Sequence, residues 1–280
     1  MPVSMAVIGD NFSLAIRQVA LSRYIGATLI GQLVGASAGG LIAEWIGWRG
    51  VLGCSAVLAV LAAGTAFLML REAGEREPAS FSLEDALARY GLVLANPRSF
   101  VCFGVVFLEG FAIYGIMPFI GELLRSRDAG GLREAGFVIG GLGMGGLLYA
   151  FLVPLILRVA SRPAMMAVGG FVAAAGLGVV GLEVSWGTQM AFMMVLGFGF
   201  FLLHNSVQTE VTELAPSARA SSFSLHAFSF FLGQALGPMA YGVALPLAGA
   251  TLSLAGGAAV LAVTGVLASV LLRPRASGGA

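Results

Sequence analysis

Lysine is absent from the chain, so all fifteen basic residues are arginines, and charged residues of both signs together make up only 10%. A soluble domain carries about a quarter, so a water-facing globular surface is excluded. Cysteine occurs only as Cys54 and Cys102, both inside apolar runs. They read as small buried residues, and neither a disulfide framework nor a CxxC site can be built from them. The two histidines, His204 and His226, fall in different apolar segments and are too few for a metal centre. HExxH, P-loop and GxSxG patterns are missing. Nothing points to catalysis, a cofactor or a nucleic acid, and a net charge of +1 is uninformative about partners. The alternation over about ten residues that a membrane β-barrel needs is also missing.

What is present is apolar length. Hydrophobic residues make up 58% of the 280, and mean hydropathy is +0.94. A spanning helix needs roughly 20 apolar residues. Sorting the chain between its charged clusters predicts eight spans, near 20–43, 48–70, 99–122, 135–157, 163–182, 187–209, 220–245 and 250–272. The expected fold class is an all-α polytopic membrane protein. An even number of spans puts both ends on one side. That side holds Arg17, Arg23, Arg71, Arg76, Arg89, Arg98, Arg158, Arg162, Arg219, Arg273 and Arg275, whereas the other keeps Arg49, Arg125, Arg127 and Arg133. Eleven against four predicts both termini in the cytoplasm.

The chain also repeats itself. Residues 31–40, GQLVGASAGG, return at 233–242 as GQALGPMAYG, about 202 positions on; Arg17 falls on Arg219 and Ser22 on Ser224 without a gap. Gly31, Gly35 and Gly39 (preceded by Ala27), with Gly40 beside them, and Gly233 and Gly237 (preceded by Ser229) are spaced to lie on one helix face each. Such small-residue faces let helices approach closely in lipid, where the hydrophobic drive is missing. Paired segments in two halves are the mark of internally repeated transporters. Gln32 and Gln234 recur with the repeat, and interhelical hydrogen bonds are expected of them. Residues 1–8 lack the charged start and cleavage pattern of a signal peptide and read as the tail of a fourth helix. The repeat offset leaves room for about four spans before Met1, so the expectation is a chain short by four helices.

Four units are expected: 1–70, two helices with the tail of another; 71–98, a polar linker with a surface helix; 99–272, six helices; and 273–280, a tail. In the linker Leu83, Leu87, Tyr90 and Leu94 stand at helical spacing behind a Ser82/Asp85 capping pair. Gly141, Gly143 and Gly146 match GxGxxG, but no strand precedes them and no acid follows about 20 residues later, so a dinucleotide site is rejected. Pro118, Pro154, Pro238 and Pro246 are candidate kinks. Met165, Met166, Met193 and Met194 read as packing residues.

Ionisable groups inside the hydrocarbon are costly and therefore candidates for a transport path. Glu109, with about ten apolar residues on either side, is the deepest acid. A carboxyl there can take up and release a proton; the structural alternative is a protonated acid bonded to a neighbouring helix. His204 with Gln208, and Asn205 with Thr209, form two polar faces near a helix end whose start carries Phe198, Phe200 and Phe201. Ser222, His226 and Ser229 line a face of the next helix. Together they can line a cavity with an aromatic wall, or they are polar only because water reaches helix ends.

The segment from Arg17 to Arg49, with Gly39 and Gly40 closing the glycine pattern and Gly47, Trp48 and Arg49 following, resembles the fifth helix of the major facilitator superfamily. It carries the glycine pattern of that family's proton-coupled antiporters, with Ala36 where the pattern has a proline and Ser22 where it has an earlier glycine. Residues 157–163, LRVASRP, resemble the loop between the second and third helices of a six-helix half. The resemblance covers the chain as helices five to twelve of twelve. It implies a secondary transporter of a small organic solute, acting as a proton-coupled exporter and embedded in a bacterial inner membrane. Its partners would be the lipid bilayer, the solute and protons. The competing reading is a non-transporting fragment or membrane interaction protein, because a cavity between two halves needs both.

Overall fold

The computed structural model describes residues 14–69 and 82–273, with the side chains of 14–26 and of Leu29 excepted. The expected tail of a fourth helix, the front of the linker at 70–81 and the C-terminal 274–280 lie outside the described residues. Among the described residues eight α-helices follow one another: α1 (Leu14–Met69), α2 (Leu83–Leu94), α3 (Pro97–Glu109), α4 (Ile120–Ser126), α5 (Leu132–Val159), α6 (Arg162–Val180), α7 (Trp186–Leu214) and α8 (Arg219–Leu271). Six helical segments among the described residues are long and apolar enough to cross a membrane, with α3 and α4 counted as one.

Six segments stand where eight spans were expected because two pairs run together. α1 has 56 residues and α8 has 53. At 1.5 Å a residue each would be about 80 Å long, against a hydrocarbon core of about 30 Å. Each is broken at one glycine: Gly47 at φ 70°, ψ 177° and Gly249 at φ 76°, ψ 168°. This backbone region is essentially closed to residues with a Cβ. In α8 the break is a hairpin, since a Cβ on Gly257 would meet the hydroxyl of Tyr241, and the two lie equally far from Gly249 on either side. Gly47 and Gly249 are themselves about 202 residues apart, so the repeat extends to the turn that follows each glycine-rich helix.

The ends of the helices are written locally. Asn96 caps α3, its side-chain oxygen accepting from Arg98 N–H at 3.0 Å, with Pro97 in the first turn. Ser161 caps α6 and Ser185 caps α7. The predicted Ser82/Asp85 pair opens α2, Asp85 N–H donating to Ser82 Oγ at 3.2 Å. The span expected at 99–122 is irregular in its second half. A π-helical turn over Gly110–Tyr114 is followed by a 3-10 turn over Met117–Phe119 containing Pro118. Pro118 thus marks a break, while Pro154 lies within α5 and Pro238 and Pro246 within α8.

Glycines set the packing. Gly40 of α1 lies against Gly136 of α5, and Gly141 and Gly145 of α5 lie against the Met190 and Met194 carbonyls of α7. Gly169 of α6 meets Gly199 of α7, and Gly170 of α6 meets Gly265 of α8. Gly233 and Gly237 of α8 lie on the backbone of Phe107, Phe111 and Gly115. The GxGxxG of α5 is therefore a packing face, and Met165, Met166 and Met193 are buried in the core. The second part of α1 is different, with residues 52–69 exposed throughout.

Candidate functional site

α3, α7 and α8 bring three titratable side chains together, Glu109 and two histidines that lie 95 or more residues further along the chain. Glu109 ends α3 and is fully buried. Its Oε2 lies 2.8 Å from Nδ1 of His204 on α7. With Glu109 ionised, the ring N–H donates to it; with Glu109 protonated, the contact can run the other way. The second carboxyl oxygen, Oε1, has no protein partner among the described residues. The His204 ring stands 5.1 Å from the ring of His226 on α8. His226 is only 4% exposed, and neither of its ring nitrogens has a protein partner among the described residues.

Aromatic rings wall this group. Phe200 lies 4.9 Å and Phe230 5.1 Å from the His204 ring, measured between centroids. Tyr114, in the π turn just after Glu109, meets Phe200 and Phe230 edge-on at 6.0 and 5.5 Å. The π turn is what sets Tyr114 there. It adds a residue to one turn and rotates the rest of the helix about its axis, and the Ala112 carbonyl of that turn accepts from Tyr241 Oη of α8 at 3.0 Å.

The other expected site residues divide. Asn205 is half-buried and bonds the hydroxyl of Tyr149 on α5. Gln208 is half-buried, and Thr209 Oγ1 donates to the Asn205 carbonyl on its own helix. Ser222 is buried one turn before His226 and donates to the Ala218 carbonyl, while Ser229 is half-buried. Of the glycines, Gly40, Gly233 and Gly237 pack as expected. Gly31, Gly35 and Gly39 have open space around them, because α1 turns Leu33, Ser37 and Gly40 toward α5 instead. For the same reason Gln32 is exposed. Neither Gln32 nor Gln234 makes the expected interhelical hydrogen bond among the described residues.

A second polar group was missed in the sequence. At the arginine-rich end, Glu210 of α7 is buried and accepts from Arg98 of α3 at 3.0 Å and from Arg162 of α6 at 3.3 Å. Arg98 also donates to the Leu272 carbonyl at the end of α8, and Asn96 donates to that of Leu214. The signal available was an acid set between Val207 and Val211 on the apolar face of its helix. Phe230, one turn beyond His226, could have been found by the same spacing.

Two comparisons bear on this arrangement. No curated protein matches the chain. A family model described as Major Facilitator Superfamily matches residues 1–238. That range takes in Glu109, His204 and His226 together with the first glycine-rich segment and Gly233 and Gly237 of the second, and the helices are apolar enough to span a bilayer. The chain belongs to the Major Facilitator Superfamily, and is an integral membrane transporter of that type.

Proposed function

We propose that the protein exports a small organic solute in exchange for protons, with Glu109 carrying the proton. The observation behind this reading is the buried contact between Glu109 and His204. A carboxyl in the hydrocarbon region is costly when charged and unpaired, and a histidine at 2.8 Å gives it a partner in either protonation state. Solute binding beside the pair and proton binding to it then compete or alternate as the halves rock about a midplane site. Asn205 and Gln208 line the approach from the arginine-rich end, which the charge bias makes cytoplasmic, with both termini on that side. A bacterial inner membrane is the setting, and no catalytic step is involved.

The test is a vesicle assay. Proteoliposomes with a pH-reporting dye inside and an imposed proton gradient are challenged with a panel of small organic solutes. The native protein should dissipate the gradient when one solute is present, and Glu109→Gln should not. Equal dissipation by both would remove Glu109 from the mechanism. A second reading, a membrane interaction protein that does not transport, draws on the exposed residues 52–69 and the open Gly31 and Gly35 face of α1. Absence of solute-dependent flux in the native protein, with its fold intact, would select it.

A further inference from the structure

Several features of the molecule invite a role. The ion cluster around Glu210 ties four helix ends and is satisfied within itself, so it leaves no group for a ligand. The leucines of α2 form an exposed face, yet nothing on that face distinguishes lipid from another partner. His226 is different. A buried imidazole with both nitrogens free of protein bonds departs from the rule that buried polar groups are satisfied, and its ring neighbour on α7 is the histidine that holds Glu109.

Resting on the proton-coupled reading, we propose that His226 is the proton station between cytoplasmic water and the Glu109–His204 pair, so that the three side chains form a relay. The depths are graded. His226, His204 and Glu109 lie about 10, 15 and 18 Å along their helices from Arg219, Leu214 and Pro97, at 1.5 Å a residue. These three ends belong to one face of the bundle, since Arg98 bonds both Glu210 near the end of α7 and the Leu272 carbonyl at the end of α8. A ring separation of 5.1 Å puts the nitrogens of the two histidines within direct or one-water reach.

The transfer balances without a co-reactant. A proton reaches a ring nitrogen of His226 and passes to Nε2 of neutral His204, forming one N–H bond as the His226 N–H bond breaks. His204 releases its Nδ1 proton to Oε2 of Glu109 and is left as the other neutral tautomer. The carboxylate becomes an acid and no net charge stays on either ring. The titratable groups facing His226 fit this. His204 faces it from α7, with Glu109 of α3 beyond, and Tyr114 of the π turn lies across Phe230 from His204. Of the arginines at that end, Arg98 and Arg162 are engaged by Glu210, and Arg219 by the Thr212 carbonyl. An alternative role, a buried imidazole that only fills space, makes no demand on its titration.

Proton uptake by Glu109 can be read without knowing the solute. Infrared spectra of the full chain in lipid, recorded after an acid jump, show a protonated-carboxyl band assigned to Glu109 by its loss in Glu109→Gln. His226→Phe should slow the rise of that band about a hundredfold, the low end of what a placed acid–base group contributes, and leave its final amplitude unchanged. His226→Asn, which keeps a polar side chain but cannot relay, should behave the same way and serves if the phenylalanine variant does not fold. Rise rates equal to the native rate in folded variants would overturn the relay while leaving Glu109 as the proton carrier. No titrating Glu109 band in the native chain would overturn both.

Discussion

The Glu109 carboxyl shows how much one side chain in a bilayer depends on its partner. With His204 present, one of its oxygens is bonded; with His204→Leu, a fully buried acid has no protein partner at all. An orphaned buried polar group costs about 1–3 kcal/mol. His204→Leu should lower the thermal unfolding midpoint in detergent, and Glu109→Leu combined with it should recover part of the loss. Additive losses would show that the two side chains are not coupled. Glu210 gives a second case. Its carboxylate is buried between two arginines that are partly exposed, so Glu210→Ala should cost less than the 3–5 kcal/mol of a fully buried broken pair, about 2 kcal/mol. Arg162→Gln in that background should then add almost nothing, which a double-mutant cycle on unfolding midpoints will read.

Among elements, the two copies of the glycine-rich helix are alike in sequence and unlike in surroundings. Gly237 lies on the Phe111 carbonyl and the Cα of Gly115, whereas its counterpart Gly35 faces open space. Gly237→Leu should therefore force α8 away from the π turn at about 1–3 kcal/mol, and Gly35→Leu should stay within about 0.5 kcal/mol. Comparable unfolding midpoints for the two would mean that the copies pack alike. Gly47 and Gly249 form a matched pair, both in a backbone region where a Cβ is strained. Gly249→Ala is expected to cost about 1–3 kcal/mol, with the loss visible as a lowered midpoint and earlier proteolysis at the turn.

At the scale of the molecule, glycine contacts link α1, α5, α7, α6, α8 and α3 in one chain of close approaches. The contact of α1 with α5 joins the first glycine-rich helix to the helices that follow it. A Cβ on Gly140 would lie 2.8 Å from Ser37 Oγ, so cysteines at the two positions would stand side by side, as a bridge requires. In a chain with Cys54 and Cys102 replaced, Ser37→Cys with Gly140→Cys should form an intramolecular disulfide under mild oxidation, seen as a mobility shift on a non-reducing gel. Cross-linking only between chains would place α1 against a different neighbour.

Composition and spacing alone settled that this chain is an all-α protein with helices long and apolar enough for a bilayer, and they showed one glycine-rich segment written twice, because hydropathy, helix length and residue spacing are local properties. The depth of Glu109 was legible for the same reason, and the Ser82 cap and the break at Pro118 were read from single residues and their neighbours. The partnership of Glu109 with His204, the orphaned ring of His226, the ion cluster at Glu210 and the differing fates of Gly35 and Gly237 were not legible. Each depends on which face of one helix meets which face of another, and a repeat with nearly identical faces cannot declare that in advance. Only the crossing of α3, α7 and α8 decides it, through the π turn that rotates Tyr114 into the cluster and the glycines that let the backbones close on one another.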